Sequence, residues 1–258
     1  MLRGASLSAL LLVGLALPSI ALSRSNVVVS LQFDDGRADQ YQAGAIMAKQ
    51  HVHGTFFINS GRPGLPGFMP WKQIQALQAA GNEIGGHTIH HADLSAVPLS
   101  VAKTEICADR KRLVAHGFRA VDFAYPYGRS TPAVQAIVAR CGYLSARDIG
   151  GFRASTTCLS CPFAQPLPPP GTGAFGSRYL LRTPPSIKID TSLQTLEDTV
   201  IAAEAHGGGW VQFVMHHICA GPGCDSLSVS PATLMSLIKW LKNRGVPIQT
   251  SKQVLREG

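Results

Sequence analysis

Two adjacent carboxylates and two imidazoles four residues apart are the side chains of this sequence whose types and spacing could do chemistry together. The carboxylates are Asp34 and Asp35, and the imidazoles are His87 and His91. Carboxylate and imidazole are the ligands that a divalent hydrolytic metal requires. Two histidines and one carboxylate would fill three positions on such an ion and leave others for water and a substrate oxygen. The second carboxylate would then be free to act as a base.

Each pair follows an apolar segment that is predicted to be a buried strand. Residues 27–33 precede the carboxylates, and residues 83–86 precede the histidines. Consecutive side chains of a regular strand point to opposite faces, so both carboxylates can face one pocket only if the chain turns there. Gly36 permits such a turn.

The histidine spacing predicts that the two rings converge. Side chains at positions i and i+4 share a face if the chain makes a helical turn, so His87 and His91 are expected to reach one ion together. His90 would then point elsewhere, as a bystander or as support for a ligand. An isolated Asp-Asp-Gly is usually a turn, and an isolated HxxxH is usually a pair of solvated side chains. Their joint occurrence at successive strand ends favours the metal site.

Strand and helix signals alternate along the chain, which predicts an α/β protein with a parallel sheet. Apolar runs predict strands at residues 27–33, 55–59, 83–86, 122–125, 143–147, 179–182, 211–215 and 247–250. Amphipathic stretches with helix start and stop residues predict helices at 71–80, 132–141 and 231–243. We find no internal repeat and no linker to a second domain. A long loop is predicted at residues 150–176, which are rich in proline and glycine.

Four short motifs resemble those of a known family, the polysaccharide deacetylases with the NodB homology domain (carbohydrate esterase family 4). They occur in the family's order at residues 32–36 (QFDDG), 87–91 (HTIHH), 124–128 (AYPYG) and 210–216 (WVQFVMH). The resemblance extends over the whole chain after its first residues. It implies an α/β fold of the incomplete or distorted (β/α) barrel type in a single domain, with the site at the carboxyl ends of the strands.

The resemblance also implies a metal site. Its protein ligands would be Asp35, His87 and His91. The cofactor would be a divalent metal ion, with zinc expected first and cobalt or another divalent ion as alternatives.

The same resemblance implies which groups move protons. Asp34 would be the general base and His216 the general acid. The backbone N–H of Tyr127, which follows Pro126 in the third motif, would help to form the oxyanion hole.

The third motif departs from the family at its first residue. The family has an arginine there that steadies the catalytic aspartate, whereas this chain has Ala124. No segment convincingly matches the later family motif whose aspartate holds that arginine, and Asp148 is the nearest candidate for the region. Arg147 is a candidate to supply the missing guanidinium from another strand.

The first residues of the chain are typical of a secretory signal peptide. Arg3 precedes an apolar run at residues 7–17, which is followed by Pro18 and a small-residue pattern at residues 21–23. We therefore predict a signal peptide at residues 1–23 and the deacetylase-like domain at residues 24–258. The apolar run is too short to span a bilayer comfortably, so a secreted or cell-envelope monomer without stable membrane insertion is expected.

The charge balance bears on partners. The formal net charge is +8, but no basic run alternates with aromatic residues as in a nucleic-acid groove. No nucleic-acid partner is expected. An acetylated polysaccharide, in particular an anionic cell-wall polymer, is favoured modestly over the alternative that dispersed positive charge only aids solubility.

Six cysteines in an exported chain are interpreted first as disulfides. Close pairs at positions 158 and 161 and at positions 219 and 224 could each close a small loop, which leaves Cys107 with Cys141. Zinc binding by Cys158 and Cys161 is the competing interpretation, but it lacks a convincing second pair of ligands.

Three functions from different classes remain open on the sequence. The leading hypothesis is a secreted metal-dependent hydrolase that removes N-acetyl groups from amino-sugar polymers such as peptidoglycan or chitin. The second is an O-acetyl esterase on glycans such as acetylxylan, because the same attack by water cleaves esters. The third is a non-catalytic glycan-binding relative that has kept the fold.

Overall fold

A seven-stranded sheet forms the centre of the protein, and each pair of neighbouring strands in it is parallel. The computed structural model describes residues 1, 26–153, 158–167 and 177–255. The sheet strands are β1 (Val27–Phe33), β2 (Thr55–Ile58), β3 (Glu83–Gly86), β4 (Asp122–Ala124), β5 (Ser145–Gly151), β6 (Leu181–Thr183) and β7 (Gly209–Met215). Their spatial order is β6-β5-β4-β3-β2-β1-β7. Two short strands, β8 (His217–Ile218) and β9 (Ser228–Val229), form a separate parallel pair.

Helices connect the strands and cover the sheet. They are α1 (Gln40–Lys49), α2 (Trp71–Ala79), α3 (Leu99–Ala115), α4 (Pro132–Arg140), α5 (Leu193–Ala205), α6 (Pro231–Asn243) and α7 (Ser251–Leu255). The three helices predicted from the sequence are confirmed as α2, α4 and α6. The hydroxyls of Thr131 and Ser230 accept hydrogen bonds from backbone N–H groups in the first turns of α4 and α6, which fixes where these helices begin.

The sheet curves until its two edge strands approach each other, so the predicted incomplete (β/α) barrel in a single domain is confirmed. At the seam, Gln165 exchanges backbone hydrogen bonds with Trp210 of β7 (3.0 and 2.8 Å). Its side-chain oxygen accepts a hydrogen bond of 2.9 Å from the backbone N–H of Arg182 in β6. Gln165 therefore bridges the seam at the amino end of β7.

The prediction of a strand at residues 247–250 is wrong, because these residues do not form a full strand. Only Ile248 forms a bridge, to Val29 of β1. The chain cannot extend this pairing because helix α7 starts at Ser251.

The six cysteines form the three predicted disulfides, Cys107–Cys141, Cys158–Cys161 and Cys219–Cys224. No free cysteine remains among them. The zinc interpretation of Cys158 and Cys161 is therefore wrong, because a disulfide leaves no thiolate to bind metal.

The predicted signal peptide, apart from Met1, lies outside the described residues. Within the described part of the chain, no helix combines the length and the apolar character needed to cross a bilayer.

Candidate active site

A cluster of one carboxylate and two imidazoles lies at the carboxyl ends of β1 and β3. One possible ligand atom each from Asp35, His87 and His91 lies within 4.8 Å of the others. Oδ1 of Asp35 is 3.6 Å from Nε2 of His87 and 3.3 Å from Nε2 of His91. The three residues that the sequence singled out as ligands are therefore brought together.

The atoms of this cluster are oriented as metal ligands would be. Nδ1 of His87 lies 2.7 Å from the backbone oxygen of Ala124, which leaves Nε2 with its lone pair facing the cluster. Oδ2 of Asp35 accepts a hydrogen bond of 3.2 Å from Nε of Arg37. Nε2 of His87 and Oδ1 of Asp35 are both buried without a hydrogen-bond partner. Buried polar atoms without partners are costly, and a cation between them would satisfy both.

His91 is in a protonation state suited to binding a metal. Burial, with the neighbouring His87 as a second cause, lowers the pKa of the His91 ring to about 4. The ring is therefore neutral at neutral pH and keeps a lone pair for a cation.

The two histidines do not converge through a helical turn, so that part of the sequence prediction is wrong. The chain leaves β3 at Gly86 and enters a loop in which Thr88 (φ 67°) and His91 (φ 64°) adopt left-handed conformations. The hydroxyl of Thr88 accepts a hydrogen bond of 2.9 Å from the backbone N–H of His91. Asp35 is also left-handed (φ 78°), and such conformations in residues with a Cβ are concentrated at functional sites.

His90 turns away from the cluster, as expected. Its side chain is 69% exposed, and its Nδ1 lies 2.7 Å from Glu105 on α3. The second oxygen of that carboxylate accepts a hydrogen bond of 2.9 Å from the backbone N–H of His90. Glu105 therefore anchors the middle of the loop that carries His87 and His91.

Asp34 is fully buried beside the cluster and is held by Arg147. Nη2 of Arg147 donates a hydrogen bond to Oδ1 of Asp34, whereas Oδ2 has no hydrogen-bond partner. Burial raises the pKa of the Asp34 carboxyl, but the charges of Arg147, His87 and His216 outweigh that effect and leave it below its usual value. Asp34 is therefore ionised at neutral pH, with one oxygen free to accept a proton.

Arg147 occupies the place that the third motif leaves open. It lies on β5 directly opposite Ala124 of β4, so its guanidinium reaches Asp34 from the neighbouring strand. Its Nε donates a hydrogen bond of 2.9 Å to Gln32, and its guanidinium lies 4.8 Å from the ring centroid of Phe57. The arginine is only 2% exposed, so its position is fixed by these contacts.

Asp148 does not hold this guanidinium with its side chain. Arg147 reaches only the backbone oxygen of Asp148, at 3.5 Å. Burial raises the pKa of the Asp148 carboxyl to about 6, and one of its oxygens has no partner. The side chain that holds the guanidinium is therefore that of Gln32.

We expect Arg147→Ala to lower turnover about 10- to 100-fold, because it leaves the buried Asp34 carboxylate without its charged partner and raises its pKa. Adding Ala124→Arg to that variant should restore part of the rate, since a guanidinium on β4 can approach the same carboxylate. Rates of the two variants over a range of pH, with melting temperatures measured alongside, test this. A double variant that is stable but no faster than Arg147→Ala would contradict it.

His216 and Tyr127 complete the surroundings of the cluster. His216 follows β7, and its Nδ1 is buried without a hydrogen-bond partner. Burial lowers the pKa of the His216 ring, while the charges of Asp34 and Asp35 act in the opposite direction. The Tyr127 ring packs edge-on against His91, with centroids 4.6 Å apart, which brings the Pro126–Gly128 turn next to the site.

Two residues that position the site, Gln40 and Asn59, were not predicted from the sequence. Gln40 donates hydrogen bonds from its Nε2 to the backbone oxygens of both Asp34 and His216. Asn59 donates to the backbone oxygen of His87. A single amide at the start of a helix or the end of a strand has no signature of its own, so only the fold reveals these contacts.

The fold and the cluster define a protein of the (β/α) barrel class with a possible metal site at the carboxyl ends of its strands. The family model described as "Polysaccharide deacetylase" matches residues 22–146, which contain the first three motifs. This match confirms the resemblance to the polysaccharide deacetylases that is seen in the sequence.

Solved structures of deacetylases are similar to the chain. The Streptococcus pyogenes deacetylase PplD, in complex with acetate, is 25% identical with a TM-score of 0.55, over 67% of this chain and 70% of that one. The Bc1960 peptidoglycan N-acetylglucosamine deacetylase is 16% identical with a TM-score of 0.59, over 89% and 88%.

A xylanase domain has the same fold. The Xyl-CE4 domain of a multidomain xylanase from the hindgut metagenome of Trinervitermes trinervoides is 15% identical with a TM-score of 0.55, over 91% of each chain. No curated protein matches the chain.

Proposed function

We propose that the protein is a secreted, metal-dependent deacetylase that removes N-acetyl groups from amino-sugar polymers such as peptidoglycan or chitin. One observation carries the proposal. Unpartnered ligand atoms of Asp35 and His87 converge beside His91, next to the buried and ionised Asp34. The match to the deacetylase family supports hydrolysis of acetyl groups as the reaction.

The three ligand residues fit a divalent metal ion, and zinc fits them best. Two imidazoles and one carboxylate oxygen form a donor set that is common in catalytic zinc sites, and cobalt or another divalent ion is compatible with it. When bound, such an ion supplies Lewis-acid chemistry, which makes water more acidic and polarises a carbonyl group. Arg37 holds the outer oxygen of Asp35, so the carboxylate offers its other oxygen.

The remaining residues divide the proton transfers between them. Asp34 accepts the proton of the attacking water on its free Oδ2, while Arg147 keeps that carboxylate ionised. The backbone N–H of Tyr127, beside Pro126, donates a hydrogen bond to the developing oxyanion. His216 gives a proton to the leaving nitrogen from its imidazolium form, which burial opposes and the charges of Asp34 and Asp35 favour.

His216 favours amide hydrolysis over ester hydrolysis as the main activity. An amine leaves poorly unless it is protonated, whereas an alcohol needs less help. Removal of O-acetyl groups from glycans such as acetylxylan is therefore the second candidate.

The setting of the enzyme is the other part of the proposal. Three disulfides are typical of oxidising compartments, which supports export through a signal peptide at residues 1–23 and a domain at residues 24–258. We propose a monomer that acts on acetylated polysaccharide in the medium or the cell envelope, with no role for nucleic acid.

We expect purified protein supplied with zinc or cobalt to release acetate from chitin oligosaccharides or peptidoglycan. His87→Ala and His91→Ala should lose bound metal and acetate release together, because each removes one of three ligands. His90→Ala is the matched control: the same change in the same loop should leave metal content and rate largely intact. Elemental analysis and acetate assays measure both.

Full metal occupancy in the His87 and His91 variants would rule out the ligand assignment. Release of acetate from acetylxylan alone would favour the esterase. Absence of acetate release from every acetylated glycan by the metal-loaded protein would favour a non-catalytic relative.

A further inference from the structure

Two arginines stand at the rim of the cluster, one on each of two loops that are joined to each other. Arg37 follows β1, and Arg62 lies in the loop after β2. Both guanidiniums lie over the ring of Phe68, with Cζ 4.9 and 5.0 Å from its centroid. Cation–π contact of this kind fixes the position of a guanidinium without using its hydrogen-bond donors.

The two loops form one connected platform. Arg37 and Phe68 form an antiparallel backbone bridge. The backbone N–H of Ala38 donates to Gly67 at 2.9 Å, and that of Met69 donates to Gly36 at 3.0 Å. The guanidiniums are therefore held in place before any ligand arrives, which lowers the entropy cost of binding.

Arg37 contacts a residue of the cluster, and Arg62 contacts the loop that carries two of its residues. Arg37 contacts Oδ2 of Asp35, the carboxylate whose other oxygen faces the histidines. Nη2 of Arg62 donates a hydrogen bond of 2.9 Å to the backbone oxygen of His90, the residue before His91.

The two arginines differ in how their charge is balanced. Asp35 neutralises Arg37 at 3.1 Å. No carboxylate of the described residues lies within salt-bridge distance of Arg62, and the bond to His90 uses one of its five N–H donors. Arg62 is thus a fixed positive charge without a counter-ion, and it lies near a site for a doubly charged metal ion. The two positive charges repel each other, and an anion that arrives with the substrate would offset this repulsion.

We infer that Arg62 binds an anionic group of the substrate, and that the preferred substrate is an N-acetylated glycan with a carboxylate on a sugar next to the one that is deacetylated. This inference rests on the proposed deacetylase function and names the substrate class for the same site. A guanidinium suits a carboxylate because two of its N–H groups can donate in parallel. Arg62 is thus a specificity residue and takes no part in bond breaking.

The test compares two oligosaccharides that differ only in charge. One is a β-1,4-linked N-acetylglucosamine oligosaccharide in which alternate sugars carry a lactyl ether carboxylate, and the other has each carboxylate converted to its primary amide. At low ionic strength, wild-type protein should show a higher kcat/KM for the carboxylate form, by about 10- to 100-fold. Salt should reduce this ratio, because Arg62 is partly exposed.

Arg62→Gln should remove the preference by raising KM for the carboxylate form alone, with kcat unchanged. Arg62→Lys should keep part of it, because the charge remains. Arg129→Gln is the matched control. Arg129 also lies near an aromatic ring at the rim, that of Tyr127, but its charge is neutralised by Asp93 at 2.7 Å. This variant should keep the wild-type ratio.

Equal rates on both oligosaccharides for wild-type protein, or an equal loss on both in Arg62→Gln, would overturn the inference and leave the deacetylase function standing. If neither oligosaccharide releases acetate, equilibrium binding of the same pair to wild type and Arg62→Gln decides. If wild type binds the carboxylate form more tightly and Arg62→Gln does not, the inference is supported even though the proposed activity fails. Equal binding of the two forms by wild type overturns it.

Discussion

Asp34→Asn is expected to lower acetate release on the order of 10² to 10⁴-fold while metal content stays near that of the wild type. The amide cannot accept the proton of the attacking water. Asp34 supplies no ligand atom to the cluster of Asp35, His87 and His91, so metal binding should not depend on it. Turnover on an N-acetylated oligosaccharide, paired with elemental analysis of the same sample, measures the two effects separately.

Asp35→Asn is the matched comparison, because it makes the same change one residue further on. An amide oxygen is a poorer ligand for a divalent ion than a carboxylate, so this variant should lose metal as well as activity. If the Asp34 variant is purified without metal, then Asp34 is a metal ligand and not the general base.

The second large effect is expected for His216→Ala, and it should depend on the leaving group. On an N-acetylated sugar the loss should be about 10² to 10⁴-fold, because the amine must be protonated as it leaves. On an activated acetyl ester the loss should be much smaller, since the alcohol leaves without a proton. Metal content should remain near wild type on elemental analysis. An equal defect on both substrates would argue against His216 as the general acid.

The two strands that carry the chemical motifs, and the pairing of those motifs, could be predicted from the sequence. Strand β1 starts and ends where its apolar run does, at Val27 and Phe33, and β3 likewise matches residues 83–86. Strands that are buried on both faces consist mainly of apolar residues in the sequence, so their ends are easy to locate. The functional side chains come directly after those ends, which is why the site could be placed on the sheet.

Helices α1, α3 and α5 could not be predicted in the same way. The apolar and polar residues of α3 are poorly separated, and its buried face includes Glu105 and Asp109, which serve the loops beside the site. Such a helix lacks the clear 3.6-residue periodicity on which prediction depends. Tertiary contacts make up for its weak pattern.

The local conformation of the loop that carries His87 and His91 could not be predicted from the sequence either. A helical turn and a loop with two left-handed residues both bring His87 and His91 together, and the HxxxH spacing does not distinguish them. The left-handed Thr88 is stabilised by a hydrogen bond that its hydroxyl accepts from the backbone N–H of His91. This contact exists only once the loop is folded.

The side-by-side placement of Ala124 and Arg147 on β4 and β5 bears on how relatives of this protein should be recognised. A pattern written along one strand asks for arginine at position 124 and would reject this chain. A pattern written across the sheet asks only that one of two facing positions carry a guanidinium. Sequences with a small residue before Tyr-Pro-Tyr-Gly should then be examined for an arginine on the next strand, because a guanidinium at either of two facing positions can approach the same carboxylate.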